Sequence, residues 1–116
     1  MIVGIQGTKN FEDYNVFLRA MGTALSSMEN GDSEFIVYSA GPNRINAMAM
    51  EFVNISERSL KARGIKTKVN KVPPKWMKQN IAMFDYVAYF SKPKEPLTDV
   101  IEEADAKDVE VGIYRY

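Results

Sequence analysis

Strand-like and helix-like periodicities alternate along the whole 116-residue chain, and this alternation restricts the fold more than any other feature. Five short stretches read as strands: 1–7 (MIVGIQG), 34–39 (EFIVYS), 65–69 (IKTKV), 85–90 (DYVAYF) and 109–116 (VEVGIYRY). Between the first two, Phe11, Tyr14, Phe17, Leu18, Met21, Leu25 and Met28 recur at spacings that place them on one helical face. Asn10 is the expected N-cap of that helix, Glu12 and Asp13 suit its positive end, and Gly31 is the expected stop. A second helical pattern runs from about Arg44 through Met48, Phe52, Ile55 and Leu60 to Gly64. Pro73-Pro74 interrupts regular structure before a short helix at 75–83, and Pro93 and Pro96 precede a last one at 97–107. Strands separated by helices need crossovers, and crossovers give parallel pairing with helices on both faces. The expected fold is therefore α/β: a Rossmann-like three-layer α/β/α domain over 1–116, with a mostly parallel five-stranded sheet in the order 3-2-1-4-5.

That order predicts where a ligand would sit. Ligands of open α/β sheets bind beyond the carboxyl ends of the strands, where the chain reverses its direction of winding. Three loops face that position. Gly7, Thr8, Lys9 and Asn10 offer close backbone approach, two hydrogen-bonding side chains and a charge. Ser39, Gly41, Asn43 and Arg44 lead into a helix whose free N–H groups favour an anion, and arginine can grip a phosphate with two parallel bonds. Ser91 and Thr98 add hydroxyls, and Thr98 also stands where it can cap the last helix. Each loop alone equally describes a tight strand-to-helix turn. Neither GxGxxG nor GxxxxGK[ST] occurs, which disfavours dinucleotide and P-loop chemistry.

Composition narrows the chemistry further. Cysteine and histidine are both absent, which removes disulfides, thiolate nucleophiles, imidazole bases and the usual zinc ligands. No cofactor, metal or catalytic residue is expected. No apolar run reaches the roughly 18 residues of a membrane span, and the first residues lack the pattern of a signal peptide, so a cytoplasmic protein without membrane partners is expected. Net charge is zero, but the charges are segregated. Arg58, Lys61, Arg63, Lys66, Lys68, Lys71, Lys75 and Lys78 occur with no intervening acid, whereas Glu95, Asp99, Glu102, Glu103, Asp105, Asp108 and Glu110 enclose only Lys107. The basic stretch from Arg58 to Lys78, with Trp76 inside it, suits single-stranded nucleic acid. The same segregation suits two solvated faces, or a self-complementary surface in a homo-oligomer or a contact with another protein. Trp76 also reads as a packing residue that pins the diproline loop. Most of the seven methionines fall on apolar helix faces and read as core fillers.

Taken in series, these segments resemble the SLOG superfamily, and most of all its small stand-alone YspA-like branch. The resemblance rests on Gly7-Thr8-Lys9-Asn10-Phe11, on Ser39-Ala40-Gly41-Pro42-Asn43-Arg44-Ile45-Asn46 against a "SGGARGAD"-like loop, on Lys78-Gln79-Asn80 with Met83 and Asp85, and on Leu97-Thr98 through Ala104. It spans nearly the whole chain. It implies a Rossmann-like fold and a nucleotide or nucleotide-derived ligand, and it adds Asn80 to the candidate site. The related Lonely Guy enzymes hydrolyse nucleoside monophosphates with a PGGxGTxxE loop, while DNA-processing protein A relatives bind single-stranded DNA. Here the corresponding loop is SKPKEPLTDV, with Ile101 in place of the catalytic glutamate and Glu102 beside it. The expectation is a non-enzymatic nucleotide-binding module. The alternatives are an interaction protein that kept the fold without the pocket and, further off, a phosphoribohydrolase.

Overall fold

The computed structural model describes residues 1–29 and 31–116. Strands β1 (Ile2–Gly7), β2 (Glu34–Ser39), β3 (Lys66–Lys71), β4 (Tyr86–Ser91) and β5 (Val111–Arg115) form one sheet in the order β3-β2-β1-β4-β5. Every pairing is parallel. Helices α1 (Tyr14–Ser26), α2 (Asn43–Ala62), α3 (Pro74–Gln79) and α4 (Asp99–Ala106) form the crossovers, with a 3-10 turn at Ile81–Met83. The expected Rossmann-like α/β arrangement and strand order are present.

The pleat sorts side chains onto two cores. Val3, Ile5, Phe35, Val37, Ala88 and Phe90 face α1 and α2, where they meet Phe17, Met21, Ile45, Ala49 and Phe52. Val87 and Tyr89 face the other way, towards Met77, Ile81, Phe84, Val100, Ile101 and Ala104. Because both faces are covered, all six residues of β4 are buried, and its sequence runs apolar without a break from Tyr86 to Phe90. On the first face Phe11 stacks on Phe90 with ring centroids 4.6 Å apart, and Phe17 lies 5.7 Å from Phe90. On the second, Trp76 stacks on Tyr38 at 5.2 Å, which holds the start of α3 against the sheet. Met21 and Met77 are fully buried, whereas Met50 and Met83 are exposed.

Several boundaries differ from the sequence reading for local reasons. The cap of α1 is Asp13, whose Oδ1 accepts from the N–H groups of Asn15 and Val16, not Asn10. Burial of Phe11 forces a turn over 8–11, closed by its N–H to the Thr8 carbonyl, and this delays the helix. The same helix ends at Ser26, before Gly31. Asn80 splits the predicted third helix: its side-chain amide donates to the Trp76 carbonyl, and the chain tightens into the 3-10 turn. Gly64 does end α2, with φ of +77°, and the N–H of Ile65 returns to the Leu60 carbonyl at 2.8 Å.

Tyr86 and Tyr114 share a hydroxyl hydrogen bond of 2.7 Å over Gly112, where a Cβ would collide with the Tyr86 hydroxyl. Burial first, and then this bond, raise the Tyr86 phenol well above its ordinary value of 10.0. The folded state thus favours the neutral phenol. Its contribution to stability is complete below about pH 10 and is lost as pH rises through the folded-state value. Urea midpoints measured upward from about pH 9 should fall in the parent, and the fall should be shallower in Tyr86→Phe.

Candidate ligand-binding site

The carboxyl ends of the parallel strands lie along one edge, and β1 has its neighbours β2 and β4 on either side. The crossovers from β1 and β2 cover one face, and those from β3 and β4 cover the other. The loops that leave β1, β2 and β4 therefore converge. Backbone bonds knit them closely: Ala40 N–H to the Ile5 carbonyl at 2.9 Å, Thr8 N–H to the Phe90 carbonyl at 2.9 Å, and Gly7 N–H to the Gly41 carbonyl at 3.2 Å. They border a groove of about 610 Å³ lined by Lys9, Asn10, Glu12, Asp13, Arg44, Lys92 and Tyr116.

Most of the small polar residues expected to hold a ligand already have partners inside the protein. Ser39 is fully buried and donates its hydroxyl to Asn46 Oδ1 at 2.5 Å. Thr98 occupies the N-cap position of α4 but donates instead to the buried Gln6 Oε1 at 2.6 Å. Ser91 is fully buried and accepts from Arg115 Nη1 at 2.6 Å. Thr8 Oγ1 and the Tyr116 hydroxyl share a 2.5 Å hydrogen bond, which seats the Tyr116 ring edge-on against Phe11 at 4.9 Å. Both glycines also have structural reasons. A Cβ on Gly7 would overlap Ile45 Cδ1 and come within 3.0 Å of the Phe90 carbonyl oxygen, so the space beside it is occupied by α2. Gly41 has φ of +87°, where L side chains are strained, and open space where a Cβ would go.

Lys9, Asn10 and Arg44 line the groove, and Asn43 is exposed on the first turn of α2. Arg44 forms an exposed ion pair with Glu12 across the groove. Pro42 precedes α2 in extended conformation and gives no side-chain cap, so the first N–H groups of this helix lack side-chain acceptors. Asn80 does not join the others. It follows α3, which returns from the carboxyl end of β3 to the amino end of β4, at the opposite edge of the sheet.

Four groove residues lay outside the sequence reading of the site: Glu12, Asp13, Lys92 and Tyr116. Lys92 was legible, since it directly follows a buried strand and so must stand at its carboxyl end. Tyr116 required knowledge that β5 pairs with β4, with Tyr116 N–H on the Ser91 carbonyl at 3.2 Å. Both acids have assignments: Glu12 pairs with Arg44 and Asp13 caps α1. Among the described residues, Lys9 and Lys92 form no ion pair, which leaves the groove with two uncommitted cations. Among the described residues, too, no group of acidic side chains converges as a metal site would require.

Comparison with protein-family models, curated proteins and solved structures returns no match.

Gly7 offers a direct check on this packing. Gly7→Ala should destabilise the fold by about 1–3 kcal/mol, as overpacked cores do. Shortening the obstructing side chain in Gly7→Ala/Ile45→Val should recover part of that loss, although Ile45→Val alone costs about 0.5–1.5 kcal/mol. A double-mutant cycle by urea denaturation reads the coupling.

Proposed function

We propose that this chain is a non-enzymatic binding module for a nucleotide or nucleotide-derived ligand, held in the groove at the carboxyl ends of β1 and β4. The observation that carries the reading is the pair of uncommitted lysines, Lys9 and Lys92, in a groove of nucleotide-compatible size, about 610 Å³, at the switch point of the sheet. Arg44 adds a third cation once a phosphate competes with Glu12 for it, and the first turn of α2 supplies N–H groups that lack side-chain acceptors. Tyr116 offers an aromatic wall on which a base can stack. The resemblance to the SLOG superfamily supports the same ligand class.

The contacts differ from those the sequence suggests. Ser39, Ser91 and Thr98 hold the loops in place through Asn46, Arg115 and Gln6, and the long side chains of the rim would hold the ligand. Hydrolysis finds no support in this arrangement. Glu102 sits on the first turn of α4 and does not line the groove, and the two acids that do are engaged by Arg44 and by the α1 N-terminus.

Isothermal titration with mononucleotides, cyclic nucleotides and ADP-ribose should show one site, with affinity that falls as salt rises. Lys9→Ala and Lys92→Ala should each weaken it about tenfold, or roughly 1.4 kcal/mol, and flatten the salt dependence. Unchanged binding in both variants would move the ligand elsewhere, and no binding of any of these compounds below millimolar concentration would remove the proposal. Gly41→Val is unsuitable as a probe, because its φ of +87° ties the substitution to backbone strain.

A further inference from the structure

The charges that flank the two edges of the sheet differ: β3 carries Lys66, Lys68 and Lys71, whereas the acids of α4 and of the segment before β5 flank the other edge, where β5 itself carries only Arg115. β3 and β5 are the outer strands, and each leaves alternate N–H and C=O groups without a strand partner. On β3 the N–H of Lys66 goes inward to Ser33, and that of Val72 goes inward to Ser39, so Thr67, Val69 and Lys71 direct their peptide groups outward. On β5 the Glu110 carbonyl and the Tyr116 N–H go inward to β4, so Val111, Ile113 and Arg115 direct theirs outward.

Side chains match this division. Lys66 and Lys68 are exposed on the α3/α4 side of the sheet. Arg63 and Lys61 stand just before them at the end of α2. At the other edge, α4 exposes Asp99, Glu102 and Asp105 on that same side of the sheet, and Asp108 and Glu110 lie exposed just before β5. Ile113, in the middle of β5, is 41% exposed. The hydroxyl of Thr67 is buried with no hydrogen-bond partner, beside a cavity of about 470 Å³ lined also by Glu57, Lys61, Ile65 and Lys66 at the amino end of β3.

We infer that β5 of one copy pairs in parallel with β3 of the next, in a head-to-tail association that extends the sheet from molecule to molecule. Since all five strands run the same way, a parallel join keeps the two helical layers in register and brings the amino ends of β3 and β5 together. The Asp108–Glu110 segment of one copy then arrives beside Lys61, Arg63 and Lys66 of its neighbour, at the mouth of the Thr67 cavity. The acidic α4 lies beside Lys66 and Lys68. A second copy is the occupant because this chain supplies both halves: two strand edges of similar length, one lined by lysines and the other flanked by acidic residues. Such a contact is heterologous and does not close by two-fold symmetry, so it yields chains of increasing length.

Sedimentation of the parent over rising concentration should show growing mass, and raising the salt concentration should return it towards monomer. Lys66→Glu/Lys68→Glu cancels most of the positive charge at the β3 edge, and Asp105→Lys/Glu110→Lys cancels most of the negative charge at the β5 edge. Each variant alone should remain monomeric at concentrations where the parent associates, with circular dichroism showing that both are folded. An equimolar mixture of the two should form heterodimers and not long chains, because the unaltered acidic edge of the first meets the unaltered basic edge of the second. Lys71→Pro removes an outward N–H without touching a bond inside the sheet, and it should weaken association several-fold. A parent that stays monomeric at millimolar concentration in low salt overturns the inference. So does a variant mixture that fails to associate, or a Lys71→Pro chain that associates as the parent does.

Discussion

The burial of β4 on both faces is the constraint on which the rest of this molecule depends. Its six residues have no contact with solvent to spare, so α1 and α2 must close over Phe90 while α4 and the segment around Ile81 close over Tyr89 and Val87. Phe90 then organises the groove end of the sheet. Its ring carries Phe11 and Phe17, and its carbonyl fixes Thr8. Phe11 in turn supports Tyr116. Tyr116, which lines the groove, thus rests on an aromatic stack rooted in the strand beneath.

Pattern and fold correspond most closely where burial alone decides the outcome. The uninterrupted apolar run at 86–90 reads as a buried strand, and the amphipathic spacing from Tyr14 to Leu25 reads as a covering helix. Strand order came from connectivity. Helix starts were harder to read, since Asn10 and Asp13 are equally good caps in isolation and only the demand to bury Phe11 chooses between them. The site was legible as a place more than as a set of contacts. Ser39 and Thr98 look like ligand donors in a sequence because nothing there reveals that Asn46 and Gln6 will accept from them. Gly7 likewise looks like room for a phosphate, and it proves to be room for Ile45. Hydroxyls and glycines at strand ends serve internal closure as readily as recognition, and the distinction lies in long-range contacts.

Neutral net charge conceals a molecule with polarity. Attraction between exposed charges fades over about 8 Å at physiological ionic strength, so the overall balance matters less than which sign lies along which edge. The groove, with cations on two walls and its acids engaged, presents a local potential that the total of zero does not express.

The position of β1 bears on how the chain reaches this state during synthesis. Its two neighbours are made at very different times: Val3 pairs with Val37 and also with Tyr86. Until β4 is made, then, β1 is an outer strand. It carries no charged residue, whereas β3 carries three lysines. The half-sheet formed by the first three strands also shows Ile2 and Tyr38 on a face that waits for α3 and α4. An emerging chain that has yet to make β4 holds this uncharged edge open, and until Tyr86 to Ser91 are made it is the edge most open to pairing with another chain.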